Sequence, residues 1–211
     1  TNAGSTWQNG GTDTGWPSTS GCGSAVFNTE DHETWYASSS GADENTTTFI
    51  RYTGGIWRTT DAGASWEKIA GQEDLTCDIW DKIWKLIIDP SDPDILYAAT
   101  ECGLLKTSNL NEADPANVTW ASVLSGKVYD VEMKPGTPST LYATAKSGNT
   151  WDVKTSSNSG SSWSSLPNQP SAITTSTVAA FVTIEVSNDD ANNLYAIVDC
   201  SATDSIYLYT A

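Results

Sequence analysis

The 211-residue chain carries 26 acidic and 10 basic residues, a formal net charge of −16, with ten tryptophans and four cysteines. That field repels nucleic-acid phosphates and anionic membrane surfaces over a screening length of about 8 Å, so neither is an expected partner. No run of 18 apolar residues is present to span a bilayer, and the first residues lack the basic region and apolar stretch of a secretory leader, so any export signal is expected to have been removed.

The chain opens on TNAGSTW, in which Thr1, Asn2, Gly4, Thr6 and Trp7 follow the same order as Thr60, Asp61, Gly63, Ser65 and Trp66 further on. A repeated unit is therefore expected, and the self-alignment supplies four copies. The first, residues 24–70, begins with SAVFNTEDHETWYASS, an apolar strand, a polar turn and a second apolar strand. After an insertion come a third strand, GGIWRT, and the turn TDAGASW leading into a fourth. The second unit, 84–124, runs KLIIDPSDPDILYAAT, GLLKTS and a stretched SNLNEADPANVTW; the third, 128–166, runs DVEMKPGTPSTLYATA, WDVKTS and SSNSGSSW. The fourth, 181–211, offers TIEVSNDDANNLYAIV and SIYLYT.

Pro and Asp or Asn in the first turns fix φ or cap the backbone, which makes each strand pair a hairpin. Tyr36, Tyr97, Tyr142 and Tyr195 hold one register of the second strand, each followed by alanine. Period-two alternation without a sustained helical period predicts an all-β protein with no helix. Four-stranded antiparallel units at this spacing predict a β-propeller of about four blades, which protects sheet edges by packing side by side. Joining the end to the start gives YTATNAGSTW, which aligns with KTSSNSGSSW, so residues 1–9 are expected either to close the last blade or to belong to a longer array.

The pattern Ser/Thr-x-Asp-x-Gly-x-Ser/Thr-Trp at Thr59–Trp66 resembles the Asp-box of sialidases, sortilin-like receptors, family 74 glycoside hydrolases and other secreted multi-blade proteins. Degenerate copies lie at Asn2, Gly4 and Trp7, at Asn109 and Trp120, and at Asn158, Gly160 and Trp163. The physical reading is structural. The Asp61 carboxylate takes backbone N–H bonds inside the turn, Gly63 adopts positive φ, and Trp66 folds over its strand pair.

In such a blade the boxes share one face with the first hairpin turns, and the long insertions emerge on the other. Ligands of the families resembled usually sit on that second face. With box and core positions assigned to Trp7, Trp35, Trp57, Trp66, Trp84, Trp120 and Trp163, the spare tryptophans are Trp16, Trp80 and Trp151. Trp16 and Trp80, with Asp13, Asp78, Asp81 and Tyr52, form the candidate sugar-binding set, because pyranose faces stack on indole while hydroxyls bond to carboxylates. The competing reading is that loop tryptophans fold onto blade edges.

Cys22, Cys77, Cys102 and Cys200 show no zinc or redox spacing and permit three pairings, of which Cys77 with Cys102 and Cys22 with Cys200 is preferred. Asn45 and Asn117 fit the glycosylation pattern. No metal or cofactor is expected, calcium on the acidic run Glu73, Asp74, Asp78 and Asp81 being the alternative to a solvated loop. His32 is the single histidine, which argues against a His-centred triad or zinc cluster. Sialidase chemistry needs three arginines and the chain has Arg51 and Arg58, while the Asp-Ile-Gly-Gly element associated with family 74 enzymes is absent. The expected function is a secreted, non-catalytic module that binds a polysaccharide or an extracellular protein. The alternatives are part of a polysaccharide-degrading glycoside hydrolase, and an assembly subunit that completes a neighbour's blade with its terminal strand.

Overall fold

A computed structural model describes residues 15–16, 21–40, 54–70, 83–174, 179–200 and 205–210. They form four antiparallel sheets in chain order. The first holds β1 (Gly21–Phe27), β2 (Trp35–Ser40), β3 (Gly55–Thr59) and β4 (Glu67–Ala70). The second holds β5 (Ile83–Asp89), β6 (Asp92–Thr100), β7 (Gly103–Thr107) and β8 (Ala121–Ser125). The third holds β9 (Lys127–Lys134), β10 (Thr137–Ser147), β11 (Thr150–Ser156) and β12 (Ser164–Ser165). The last has three strands, β13 (Ala179–Val186), β14 (Asn193–Cys200) and β15 (Ser205–Thr210).

Each sheet is a meander, because every connection joins neighbouring strands and every pair is antiparallel. The sheets stack in a row, with their first strands β1, β5, β9 and β13 next to one another. Side chains alternate between the two neighbours of a sheet. In β6, Leu96 and Ala98 face the first sheet, whereas Tyr97 and Ala99 face the third. Three apolar clusters result, one between each consecutive pair of sheets. The small residues Ala98 and Ala143 are fully buried where two sheets come close, as the repeat register anticipates.

Four expectations need correction. A single helical turn, α1 (Ser171–Thr174), and a 3-10 turn, Pro115–Asn117, are present, both too short to leave a periodic signal. Trp151 is not spare but 1% exposed, inside the cluster between the third and last sheets. Trp35 is no core residue: it lies on the outward side of the first sheet, 41% exposed. Tyr36, Tyr97 and Tyr142 are buried, whereas Tyr195 is 40% exposed, because among the described residues no further sheet covers its side of the last one.

Candidate functional site

The boxes come first, since their carboxylate and amide groups are the most regular polar feature. Asp61 Oδ1 accepts from Ser65 N (2.8 Å) and Thr59 Oγ1 (2.7 Å), and Oδ2 accepts from Ser65 Oγ (2.6 Å). Thr59 Oγ1 in turn accepts from Gly63 N at 2.9 Å. These bonds, led by those from Ser65, hold the Asp61 carboxyl down at about 2. Asn158 Oδ1 likewise accepts from Ser156 Oγ and Ser162 N, with Nδ2 donating to Ser162 Oγ and Gly160 N on Ser156 Oγ, and Asn109 Oδ1 accepts from Thr107 Oγ1 and Thr119 N despite the long insertion. Ala62–Gly63 and Ser159–Gly160 all have positive φ, a conformation glycine adopts without strain. Groups satisfied in this way by their own turn brace the fold and are unsuited to catalysis.

The box tryptophans do more than cover their own strands. Trp120 Nε1 donates to Ile69 O of the preceding sheet (3.3 Å), and Trp163 packs against the apolar cluster between the second and third sheets. Tyr97 OH reaches the next box turn, donating to Ser159 O at 3.0 Å. Box and tyrosine therefore clamp consecutive sheets together.

Arg58 belongs to this scaffold. It is buried, with Nε donating to Glu67 Oε1 (2.7 Å) and Nη1 to Leu110 O (3.1 Å) and Glu112 O (2.7 Å), so no donor geometry is left for a ligand carboxylate on those atoms. His32 is exposed in the β1–β2 turn, stacked near Phe27. Trp16 is partly buried, edge-on to Trp66 at 5.2 Å and tilted on Trp57 at 6.1 Å, with Gly15 pressed against the Trp66 carbonyl. Its ring thus engages protein aromatics.

Asn2, Gly4, Trp7, Asp13, Asn45, Tyr52, Glu73, Asp74, Cys77, Asp78, Trp80 and Asp81 lie outside the described residues, as do the side chains of Cys22 and Cys200. Asn117 is exposed at the end of the 3-10 turn, and Cys102, at the β6–β7 turn, is not free. Among the described residues no group of three or more His, Cys, Asp or Glu is placed to hold a metal, and no helix is long and apolar enough to cross a membrane.

On the face opposite the boxes, the entries of successive first strands bring three aromatics together. Trp84 (β5) and Tyr129 (β9) are 4.8 Å apart, and Tyr129 stacks on Phe181 (β13) at 5.0 Å with 11° between the planes. All three are partly buried. Lys127 lies over the Trp84 ring at 5.0 Å and pairs with Glu101 at 2.9 Å, and Lys146 lies over Trp151. Trp84 Nε1 finds no acceptor among the described residues. Sequence reasoning assigned Trp84 to the core and passed over Tyr129 and Phe181. The signal was available in their positions at or just after the start of each first strand.

Deeper between the same strands, Lys85 Nζ pairs with Asp130 Oδ1 (2.9 Å) and with Glu132. Asp130 also accepts Ile184 N at 2.8 Å, and Ser24 Oγ accepts Leu86 N at 3.1 Å, so polar side chains stitch adjoining first strands. Burial, with Glu185 and Asp130 nearby, outweighs Lys85 and lifts the Glu132 carboxyl to about 7. Burial works against the Lys85 charge, but Asp130 and Glu132 prevail and raise its pKa.

No protein-family model matches this chain, and no curated protein matches it. Solved structures do. A GH74 enzyme from Niastella koreensis is 16% identical with a TM-score of 0.64, covering 90% of this chain and 29% of that one. An ancestral GH74 enzyme is 13% identical with a TM-score of 0.59, covering 90% of this chain and 27% of its own. The sheets, their meander topology and these likenesses define the class as an all-β, β-propeller-type fold. The chain spans less than a third of either GH74 enzyme.

Proposed function

We propose that the chain is a secreted, non-catalytic recognition module that binds polysaccharide across the Trp84–Tyr129–Phe181 row. The aromatic row carries this reading. Its rings lie partly buried on adjoining strand entries, 4.8 and 5.0 Å apart; the stacked inner faces of Tyr129 and Phe181 hold the row together, so a ligand with apolar ring faces and peripheral hydroxyls would meet the ring surface left open and the Lys127–Glu101 pair. The segment bearing Asp78, Trp80 and Asp81 directly precedes β5 in the sequence. A bond between Cys77 and Cys102 would anchor that segment to the β6–β7 turn.

A second reading, part of a polysaccharide-degrading glycoside hydrolase, is favoured by the likeness to two GH74 enzymes. Affinity electrophoresis and calorimetry over a panel of soluble β-glucans separate the two. Saturable binding without new reducing ends, weakened at least tenfold in Trp84→Ala, supports recognition. Release of oligosaccharides would move the chain to the second reading, and binding unchanged in Trp84→Ala would remove the aromatic row from either.

A further inference from the structure

Buried polar side-chain atoms are nearly always hydrogen-bonded, because taking one out of water without giving it a partner costs free energy. Among the described residues two break this rule, Trp84 Nε1 and Glu101 Oε2. They belong to different elements, the entry of β5 and the β6–β7 turn, yet both adjoin one ammonium group. Lys127 Nζ lies 5.0 Å from the centre of the Trp84 ring and 2.9 Å from Glu101 Oε2. The ion pair supplies charge without an aligned hydrogen bond, so Oε2 keeps its accepting capacity.

Other indoles of the chain are spent on the fold. Trp35 donates its N–H to His32 O, Trp57 to Ser39 Oγ, Trp120 to Ile69 O and Trp163 to Gly160 O. Trp84 Nε1 departs from that pattern at the end of the aromatic row, beside a carboxylate oxygen that is unbonded in the same sense. A group that suits both atoms must accept from an N–H and donate to a carboxylate. An anion would satisfy the indole and be repelled by Glu101, and an ammonium group would do the reverse, whereas a hydroxyl does both.

We infer that this corner is a hydroxyl-reading subsite: Trp84 Nε1 donates to a sugar hydroxyl, and Glu101 Oε2 accepts from that hydroxyl or from its neighbour on the same ring. The inference rests on the polysaccharide reading of the aromatic row and deepens it by naming what the row selects, a sugar whose hydroxyls are free. An oxygen blocked as an ether or ester has no proton for Glu101, so binding it would leave a buried carboxylate oxygen unpaired, and such mismatches discriminate more strongly than a missing apolar contact. The Lys127 side chain, 25% exposed, is the cover. Its flexible stem swings off the Trp84 ring to admit the sugar and keeps its charge beside Glu101.

Titration of the full chain with a soluble β-gluco-oligosaccharide and with its O-methylated form tests it, read by calorimetry and by the indole N–H region of the proton NMR spectrum. The Trp84 N–H resonance, assigned by its absence in Trp84→Phe, is expected upfield, as for an unbonded indole, and should move downfield as the free oligosaccharide saturates the site. Methylation should weaken binding to the parent by about tenfold, and Trp84→Phe and Glu101→Gln should each weaken binding of the free form by about fivefold while cutting the methylation penalty to about threefold or less. A resonance that stays in place while the oligosaccharide binds, or a methylated form bound as tightly as the free one, overturns the inference; loss of binding in Trp84→Ala alongside either result leaves the aromatic row standing. A Trp84 N–H already downfield without sugar also overturns it, by showing an acceptor inside the folded chain or a trapped water. Absence of any binding to the parent overturns this inference and the polysaccharide reading together.

Discussion

Replacing Arg58 by alanine tests whether this buried guanidinium is a structural tie between the first two sheets. Its side chain is 6% exposed, and its donors reach Glu67 in its own sheet and two carbonyls, Leu110 O and Glu112 O, of the second unit's box loop. The ion pair contributes little, because the Glu67 side chain is 44% exposed and such pairs are worth at most about 1 kcal/mol. The larger loss is at Leu110, which is fully buried, where an acceptor left without its charged donor costs about 1–3 kcal/mol. Glu112 is exposed and its carbonyl can turn to water. With some packing lost along the aliphatic stem, Arg58→Ala should destabilise by roughly 3 kcal/mol. Urea unfolding followed by tryptophan fluorescence measures it, and coincident far-UV dichroism checks that the transition is cooperative. Arg58→Met, which keeps the stem and deletes the donors, should recover only about a third of the loss, and Glu67→Gln should cost under about 1 kcal/mol. A destabilisation below about 1 kcal/mol for Arg58→Ala would refute this reasoning and free the residue for a ligand-binding role.

Two pH predictions follow from the carboxyl groups. Glu132 has a folded-state pKa raised to about 7 from 4.5, so the folded protein binds the extra proton between those values and stability falls as pH rises through that window. Glu132→Gln should therefore stabilise the protein at pH 8 by on the order of 2–3 kcal/mol and leave it nearly unchanged at pH 4.5; equal stability of variant and parent at pH 8 would contradict the assignment. Asp61 behaves oppositely: its pKa is lowered to about 2 from 3.8, so its contribution is complete above 3.8 and disappears as pH falls through 2. Asp61→Asn should flatten the acid limb of the unfolding profile between pH 4 and 2 with little change at pH 7, because Asn109 and Asn158 make the equivalent bonds without a charge; an unaltered acid limb would show that the carboxylate is not what titrates.

The repeat was legible because its markers are local. Tyrosine at one strand register, alanine after it, and an acceptor–glycine–tryptophan turn are set by pleat and turn chemistry within a dozen residues, and Asp61, Asn109 and Asn158 all make the bonds their spacing implies. Contacts between sheets were not legible. Lys85 meets Asp130 and Glu132 across two sheets, and Trp84 meets Tyr129 across the same gap, yet nothing in either segment's own periodicity marks the other as a partner. Trp151 was misread for the same reason, since what buries it is packing around Val182, Ile184 and Ile173 of later elements. Trp16 shows the converse. A tryptophan in a glycine-rich stretch looks free of its surroundings, but the Trp16 ring packs on the Trp57 and Trp66 indoles of the first sheet.

The separation of the apolar interior into three clusters has a mechanical consequence. Each cluster is shared by only two consecutive sheets, so removing an end sheet breaks one junction whereas removing an inner sheet breaks two. Pulled or heated, such a molecule should peel from its ends inward, and slowest hydrogen exchange should settle in β6 and β10, whose alanine-lined faces are enclosed on both sides.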